Sequence, residues 1–148
     1  MAGDILWQPS EGYRKDSKMF EFLTRMSEKY HLPDNEYCTV HKWSFEHPEQ
    51  FWAEIWNYFQ IKHSIKYHHV VDDLTKMPGA KWFGGARLNF AENLLRRKDD
   101  HKALIFWGED NIKREVTYAE LYEQVRIVAA GFRQLGLKKG DRVAAFMP

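Results

Sequence analysis

One cysteine, five prolines and no apolar run near the roughly 20 residues that span a bilayer set the first limits on this 148-residue chain. Cys38 has no partner for an internal disulfide and no CxxC neighbour, which excludes a disulfide-stapled scaffold and a cysteine-based zinc ribbon. It is expected to be a small packing residue in a protein kept in a reducing compartment. The opening MAGDILWQPS carries an acid at position 4 and lacks the basic-then-apolar order of a secretory leader, and no Asn-x-Ser/Thr sequon occurs. These absences lead to the expectation of a cytosolic protein with no membrane partner. Charge of one sign is missing too: 22 Lys/Arg face 21 Asp/Glu, so the total does not argue for a nucleic-acid or polyanionic partner. Residues 1–74 carry 8 basic and 12 acidic side chains and residues 75–148 carry 14 and 9, an asymmetry that a solvated surface accounts for.

Aromatic residues, by contrast, are abundant at 16%, with six Trp, seven Tyr and ten Phe. That content excludes global disorder. The length alone fits one domain able to bury about two thirds of its unfolded surface.

The first half reads as helical. Met19, Leu23, Met26 and Tyr30 share one face of a helix that Asp16 or Ser17 caps and His31-Leu32-Pro33 ends. A short helical turn capped by Asp34 or Asn35 is expected to reach Trp43. Ser44 or His47 then caps a helix with Pro48 at its first position and Glu49 in its first turn, and Phe51, Trp52, Ile55, Trp56 and Phe59 form its stripe. Seven aromatics between positions 43 and 59 could stack bases or a flat cofactor. No Lys or Arg lies among them, and the helical spacing favours a core.

After an unclear stretch over 60–73, Pro78-Gly79 and Gly84-Gly85 mark turns. Residues 88–97 read as a helix with Leu88, Ala91, Leu94 and Leu95 inward. Residues 103–107 and 113–116, flanking a turn at 108–111, predict a hairpin. Thr117 and Glu120 form a capping box for a helix carrying Leu121, Val125, Val128 and Phe132 and stopping at Gly136. Residues 143–147 read as a further strand, apolar on both faces. Such a strand needs neighbours for its backbone groups and helices to cover it. An α/β sheet that has just begun carries the expectation of the N-terminal part of a longer protein.

Candidate chemistry is sparse. His63, His68 and His69 with Asp72 and Asp73 are metal-ligand types, but no spacing among them matches a common zinc arrangement, and a solvated loop is the simpler reading. Gly84-Gly85, flanked by Lys81 and Arg87, would let a backbone approach an anion; a tight turn is the default. Lys138-Lys139-Gly140-Asp141 resembles a phosphate-friendly loop, and a solvated turn explains it more simply. There is no GxxxxGK[ST], no GxGxxG and no nucleophile elbow.

Three segments carry more. Residues 39–59, with Trp43, Ser44, Pro48, Phe51 and Trp52, residues 77–95, and residues 116–148, with Thr117-Tyr118 and Gly140-Asp141-Arg142-Val143, together resemble the start of the AMP-forming acyl-CoA synthetases of the adenylate-forming superfamily. The run LNFAENLL at 88–95, and Leu6-Trp7-x-Pro9 followed by Met19-x-x-Phe22, are similar to the members that activate acetoacetate. The resemblance implies an α/β fold in which a helical N-terminal extension, residues 1–98, precedes the first strand-helix-strand units of the AMP-binding domain, residues 99–148. It implies an ATP-dependent acid-thiol ligase: the carboxylate of acetoacetate attacks the α-phosphorus of ATP, releasing pyrophosphate, and the CoA thiol then displaces AMP. ATP, CoA and Mg2+ are implied for the full-length enzyme and none for this segment, whose partner is the rest of its own large domain. The family's phosphate loop, adenine and ribose contacts and mobile lysine have no matching positions here. No catalytic, cofactor-binding or metal residue is therefore carried over, and the chain alone is expected to be inactive. The alternatives are an acetyl- or propionyl-activating member, a noncatalytic short isoform acting as an interaction module, and a small metal domain on His63, His68, His69 and Asp72.

Overall fold

The structure is a computed structural model that describes residues 6–109 and 111–146. The chain divides into two compact units, residues 1–87 and 88–148. In the first, helix α1 (Glu11–Lys15) starts at Ser10, whose Oγ accepts from the Tyr13 amide. Helix α2 (Lys18–Tyr30) is capped the same way by Ser17 on the Phe20 amide at 3.1 Å. It stops at His31, which takes the left-handed conformation (φ 52°) and lets the Leu32 amide reach the Ser27 carbonyl.

Helix α3 (Tyr37–Glu46) begins later and runs further than its sequence predicts. Neither Asp34 nor Asn35 caps it: Asp34 accepts from the Glu36 amide, and the Asn35 side chain donates to Thr24 on α2. Helix α4 (Pro48–Tyr58) has Pro48 in its first turn, as expected, with His47 rather than Ser44 before it. These helices enclose a core of Phe22, Leu23, Met26, Val40 and Trp43, with Tyr30, Leu32, Phe51, Ile55 and Tyr58 packed on it. Met19, expected inward, is exposed, and Phe22 takes its place. Ring edges meet faces at Phe22 and Tyr58 (5.0 Å between centroids), and Met26 is wholly buried. Burial on this scale is worth about 1.5–3 kcal/mol per large side chain.

Strands β1 (His69–Val71) and β2 (Trp82–Gly84) pair antiparallel, His69 opposite Gly84 and Val71 opposite Trp82. Val70 and Val71 are buried, and α4 packs on β1. Trp56 of α4 lies against Tyr67 and Phe83, at 5.1 and 4.9 Å.

In the second unit, helix α5 (Phe90–Leu94) has five residues instead of the ten predicted. Of Leu88, Ala91, Leu94 and Leu95, only Leu95 is buried. So short a helix presents one turn and cannot bury a four-residue stripe. Strands β3 (Lys102–Trp107) and β4 (Lys113–Thr117) form the predicted antiparallel hairpin, with Ile105 opposite Glu115. The Gly108 amide donates to the Ile112 carbonyl at 2.7 Å to close its turn; Asp110, placed in that turn from sequence, lies outside the described residues. Helix α6 (Tyr118–Gln134) opens with the complete Thr117–Glu120 capping box and ends ahead of Gly136 (φ 83°). The expected strand at 143–147 is not formed: residues 143–146 lie in no strand, and Met147 is outside the described residues. A strand exists only with a hydrogen-bonded neighbour, and among the described residues the two sheets have two strands each. The α/β class stands, built from two small antiparallel sheets. No helix among the described residues is long and apolar enough to cross a membrane.

Candidate functional site

The aromatic run of 43–59 is core at its centre. Trp43 and Trp56 are buried and Phe51 packs on the core, whereas Phe45, Trp52 and Phe59 stay open at the edges. No stacking platform results, because Trp43 and Phe51 already meet edge to face and Trp52 meets Phe51 the same way.

The histidines and acids of 63–73 are kept apart by the local backbone. His63 contacts the Ile61 carbonyl through Nδ1 at 2.8 Å and lies against Trp56. His68 immediately precedes β1 and His69 opens it, and the two rings pack on different neighbours. Each covers a different glycine: a Cβ on Gly84 would enter the His69 ring, and one on Gly85 would enter the His68 ring. The glycine pair therefore serves ring packing and a turn, with Gly85 at φ 82°, rather than an anion. Asp72 accepts from the Lys81 amide at 2.7 Å and from Lys76 Nζ at 3.1 Å. Those donors hold its carboxyl down at about 2. Asp73 accepts from the Thr75 amide and hydroxyl, which lower its pKa too. Among the described residues no three His, Cys, Asp or Glu side chains converge to hold a metal.

The loop at 138–141 closes on itself. The Lys138 amide donates to Asp141 Oδ2 at 2.6 Å and the Asp141 amide to the Lys138 carbonyl, with Gly140 at φ 104°. Cys38, expected to pack inside, is exposed near the start of α3. Val40, not Cys38, points into the core from that turn.

Two features were not predicted. Glu54 on α4 is 3% exposed, and its Oε1 accepts from Lys29 Nζ at 2.5 Å and from the Tyr30 hydroxyl at 3.1 Å. Its Oε2 has no protein partner among the described residues. Burial, then the neighbouring Glu54 charge, raises the Tyr30 pKa. The available sequence signal was Glu54 standing three residues after Phe51, hence on a similar side of α4. The second is a cavity of about 440 Å³ between α2, α3 and α4, whose walls include Met19, Phe22, Val40, Phe51 and Ile55. Lys18, His41 and Ser44 also line it, but Lys18 pairs with Glu21, Ser44 Oγ donates to the His41 carbonyl and the His41 ring stacks on Tyr37, so the walls suit an apolar occupant better than a reaction.

The second unit presents surface rather than a cleft. Leu104, Ile105, Phe106 and Trp107 of β3 are all more than half exposed, and α6 has no buried residue. Leu121, Val125, Val128 and Phe132 line a shallow groove on that helix.

The helices, the hairpin and the capped α6 occur together in known proteins. Residues 37–94 match the family model described as acetyl-coenzyme A synthetase N-terminus, and residues 90–148 match that of the AMP-binding enzymes. The two matches together run over residues 37–148, so the chain is similar to the AMP-binding acyl-CoA synthetases. Within them it is similar to acetoacetyl-CoA synthetases: it is 36% identical over its whole length to that of Xenopus tropicalis, of which it covers 22%. A malonamoyl-CoA synthetase of Penicillium aethiopicum is 40% identical over 97% of this chain and 21% of its own length. The solved acetoacetyl-CoA synthetase of Streptomyces lividans superposes with a TM-score of 0.80 at 36% identity, over 95% of this chain and 22% of that one. The chain thus spans about a fifth of the length of the relatives it matches, at their N-terminal end.

Proposed function

We propose that this chain is the N-terminal portion of an ATP-dependent acid-thiol ligase that converts acetoacetate, ATP and CoA to acetoacetyl-CoA, AMP and pyrophosphate through an acyl-adenylate. The observation that carries the reading is the end-to-end match, in sequence and in fold, to one fifth of acetoacetyl-CoA synthetases. Activation is needed because a carboxylate is a poor electrophile, whereas a mixed anhydride with AMP offers a good leaving group. The acyl groups named for the relatives, acetoacetyl and malonamoyl, both carry a second carbonyl two carbons from the activated one. A short acid with a carbonyl at that position is therefore the substrate class we assign, ahead of the simple acids acetate and propionate.

Residues 1–98 would be the helical extension and 99–148 the start of the AMP-binding domain, with protein in the cytosol. No catalytic, nucleotide-binding or metal residue is assigned here. Among the described residues no three acid, His or Cys side chains converge on one point that could hold Mg2+, and Asp72 and Asp73, which share Lys76, each already accept from protein donors. Incubation of the 148-residue chain with acetoacetate, ATP, Mg2+ and CoA should release no pyrophosphate above the no-protein control. A protein joining this chain to the remaining four fifths of a relative should release it with acetoacetate in preference to acetate. Preference for acetate would overturn the substrate assignment.

A further inference from the structure

We propose that the cavity between α2, α3 and α4 is a binding site for a medium-chain aliphatic carboxylate, whose hydrocarbon tail fills the interior while its head stays at the mouth on the Lys18 ammonium. The site takes no part in acid activation and does not depend on the ligase reading.

Helices packed to native density leave few voids larger than a water molecule. The opening here, about 440 Å³, is instead of the size that small-molecule sites have. Its floor belongs to the core, since Phe22, Leu23 and Val40 are buried, whereas Met19 and Tyr37 at its mouth are more than half exposed. The cavity thus runs from an apolar interior to solvent, which suits an amphiphile entering tail first. An apolar interior gains no water with enough polar partners, so a hydrocarbon tail displaces little that is bound there.

The head group follows from charge. Among the described residues that line the cavity, Lys18 is a cation and none is an Asp or Glu. Lys18 Nζ meets Glu21 at 2.6 Å, but that side chain is 88% exposed, and an exposed pair of this kind contributes little. An ammonium has three donors, so it can keep Glu21 and take a ligand carboxylate as well. Arg25 lies over the ring of Tyr58, a wall residue, and its charge also acts on Glu21, which leaves the mouth with two cations and one anion. The guanidinium is committed to that ring face and no fork of donors faces the cavity, so a singly charged carboxylate fits better than a phosphate. The uncharged polar groups are taken: Ser44 Oγ donates to the His41 carbonyl and the Tyr58 hydroxyl to the Lys18 carbonyl.

The test is calorimetric titration of two proteins with octanoate: the 148-residue chain, and the single polypeptide joining it to the rest of a relative. Saturable binding of one octanoate is expected in both, and each methylene from hexanoate to decanoate should tighten it about fourfold. Octylammonium, with the same tail and the opposite charge, should bind at least about tenfold more weakly. Met19→Asp places a carboxylate at the mouth, in the first turn of α2 where an acid suits the helix dipole. It should weaken octanoate binding at least about thirtyfold with circular dichroism unchanged, whereas Met77→Asp, outside the lining, should not. In the joined polypeptide the same Met19→Asp variant separates this site from the acid-activating one, because pyrophosphate release with acetoacetate should stay as it was. Lys18→Gln should weaken octanoate about threefold to fivefold and leave 1-octanol unaffected. Equal binding of octanoate and octylammonium would overturn the assignment of the head group. The site itself would be overturned by no saturable binding, by binding indifferent to Met19→Asp, by binding in the short chain that the joined polypeptide lacks, or by a homodimer of this chain that closes the cavity and is dispersed by Met19→Asp.

Discussion

Phe22, Leu23, Met26, Val40 and Trp43 in the first unit are at most 9% exposed, whereas four successive apolar residues of β3 in the second are each at least 53% exposed. Local sequence quality does not separate the two. The second unit holds the better capped helix and the longer strands, and the first holds two three-residue strands and an α3 with no side-chain cap. What separates them is the number of layers. Three helices close on one another in the first unit, and β1 adds to α4. In the second, one hairpin meets one helix, and Leu95 and Val116 are the buried apolar residues among those described. Secondary structure can be well specified where tertiary cover is missing, because caps and turns act within a few residues and a core needs surfaces from several elements.

The widest gap between the units should appear on truncating a large side chain in each. Trp43→Ala removes a ring packed against Tyr30 and Phe51, and should cost about 3–5 kcal/mol in urea unfolding. Phe132→Ala, at 38% exposure, should cost under about 1 kcal/mol. Comparable losses at the two positions would show that the second unit has a core of its own.

A smaller effect is expected where the first unit buries charge. Lys29→Met removes the cation from Oε1 of Glu54 and leaves a buried carboxylate held by the Tyr30 hydroxyl alone. Breaking a buried pair costs about 3–5 kcal/mol, but Lys29 is half exposed, so about 2 kcal/mol is expected. Adding Glu54→Leu to that variant should recover part of the loss, and chemical denaturation of both variants measures it. No recovery would mean that the carboxylate contributes more than its pairing.

In the second unit the corresponding lever is local. Thr117→Ala opens the capping box and should cost about 1 kcal/mol, read as faster amide exchange at Glu120, whose N–H donates to Thr117 Oγ1. Fraying confined to that first turn fits a helix held by its own cap. Loss of the whole unit would mean that α6 is packed more firmly than its exposure shows.

How far the sequence foresaw this division depends on the range of the interaction involved. Ser17, Pro48, Thr117 with Glu120, and Gly136 marked helix ends correctly, since each acts on amides or carbonyls a few residues away. The stripe of α2 was right at Leu23, Met26 and Tyr30 and wrong at Met19, because which edge of a stripe is covered depends on α3 and α4. The strand expected at 143–147 failed for a related reason: a strand-like sequence does not provide its partner. The family resemblance was legible in motifs spread over the chain. The Glu54 cluster was not, because Lys29 and Tyr30 lie 25 and 24 residues away on another helix. The histidines of 63–69 looked like ligands only while their directions were unknown.

The smallest effect should come from acid, and it should fall on the first unit. Asp72 bridges the ends of the β1–β2 connection by accepting from the Lys81 amide and the Lys76 ammonium, which depress its carboxyl to about 2. A carboxyl depressed in the folded state stabilises that state at pH values above its unfolded pKa, near 3.8. That contribution fades as pH falls through the folded value of about 2, since protonation removes the acceptor both donors use. Between pH 4 and pH 2 the amide of Lys81 should therefore lose exchange protection. Asp72→Asn should lack that step while keeping a weaker acceptor in place. In the second unit Glu120 is also depressed, by the Thr117 amide and hydroxyl, so α6 should fray over its first turn as the pH falls below the ordinary glutamate range. Resolving the two residues by NMR titration would place one acid transition in each unit, and a titration in which Asp72 protonated at its unfolded value would show that the Lys81 and Lys76 donors do not hold it in solution.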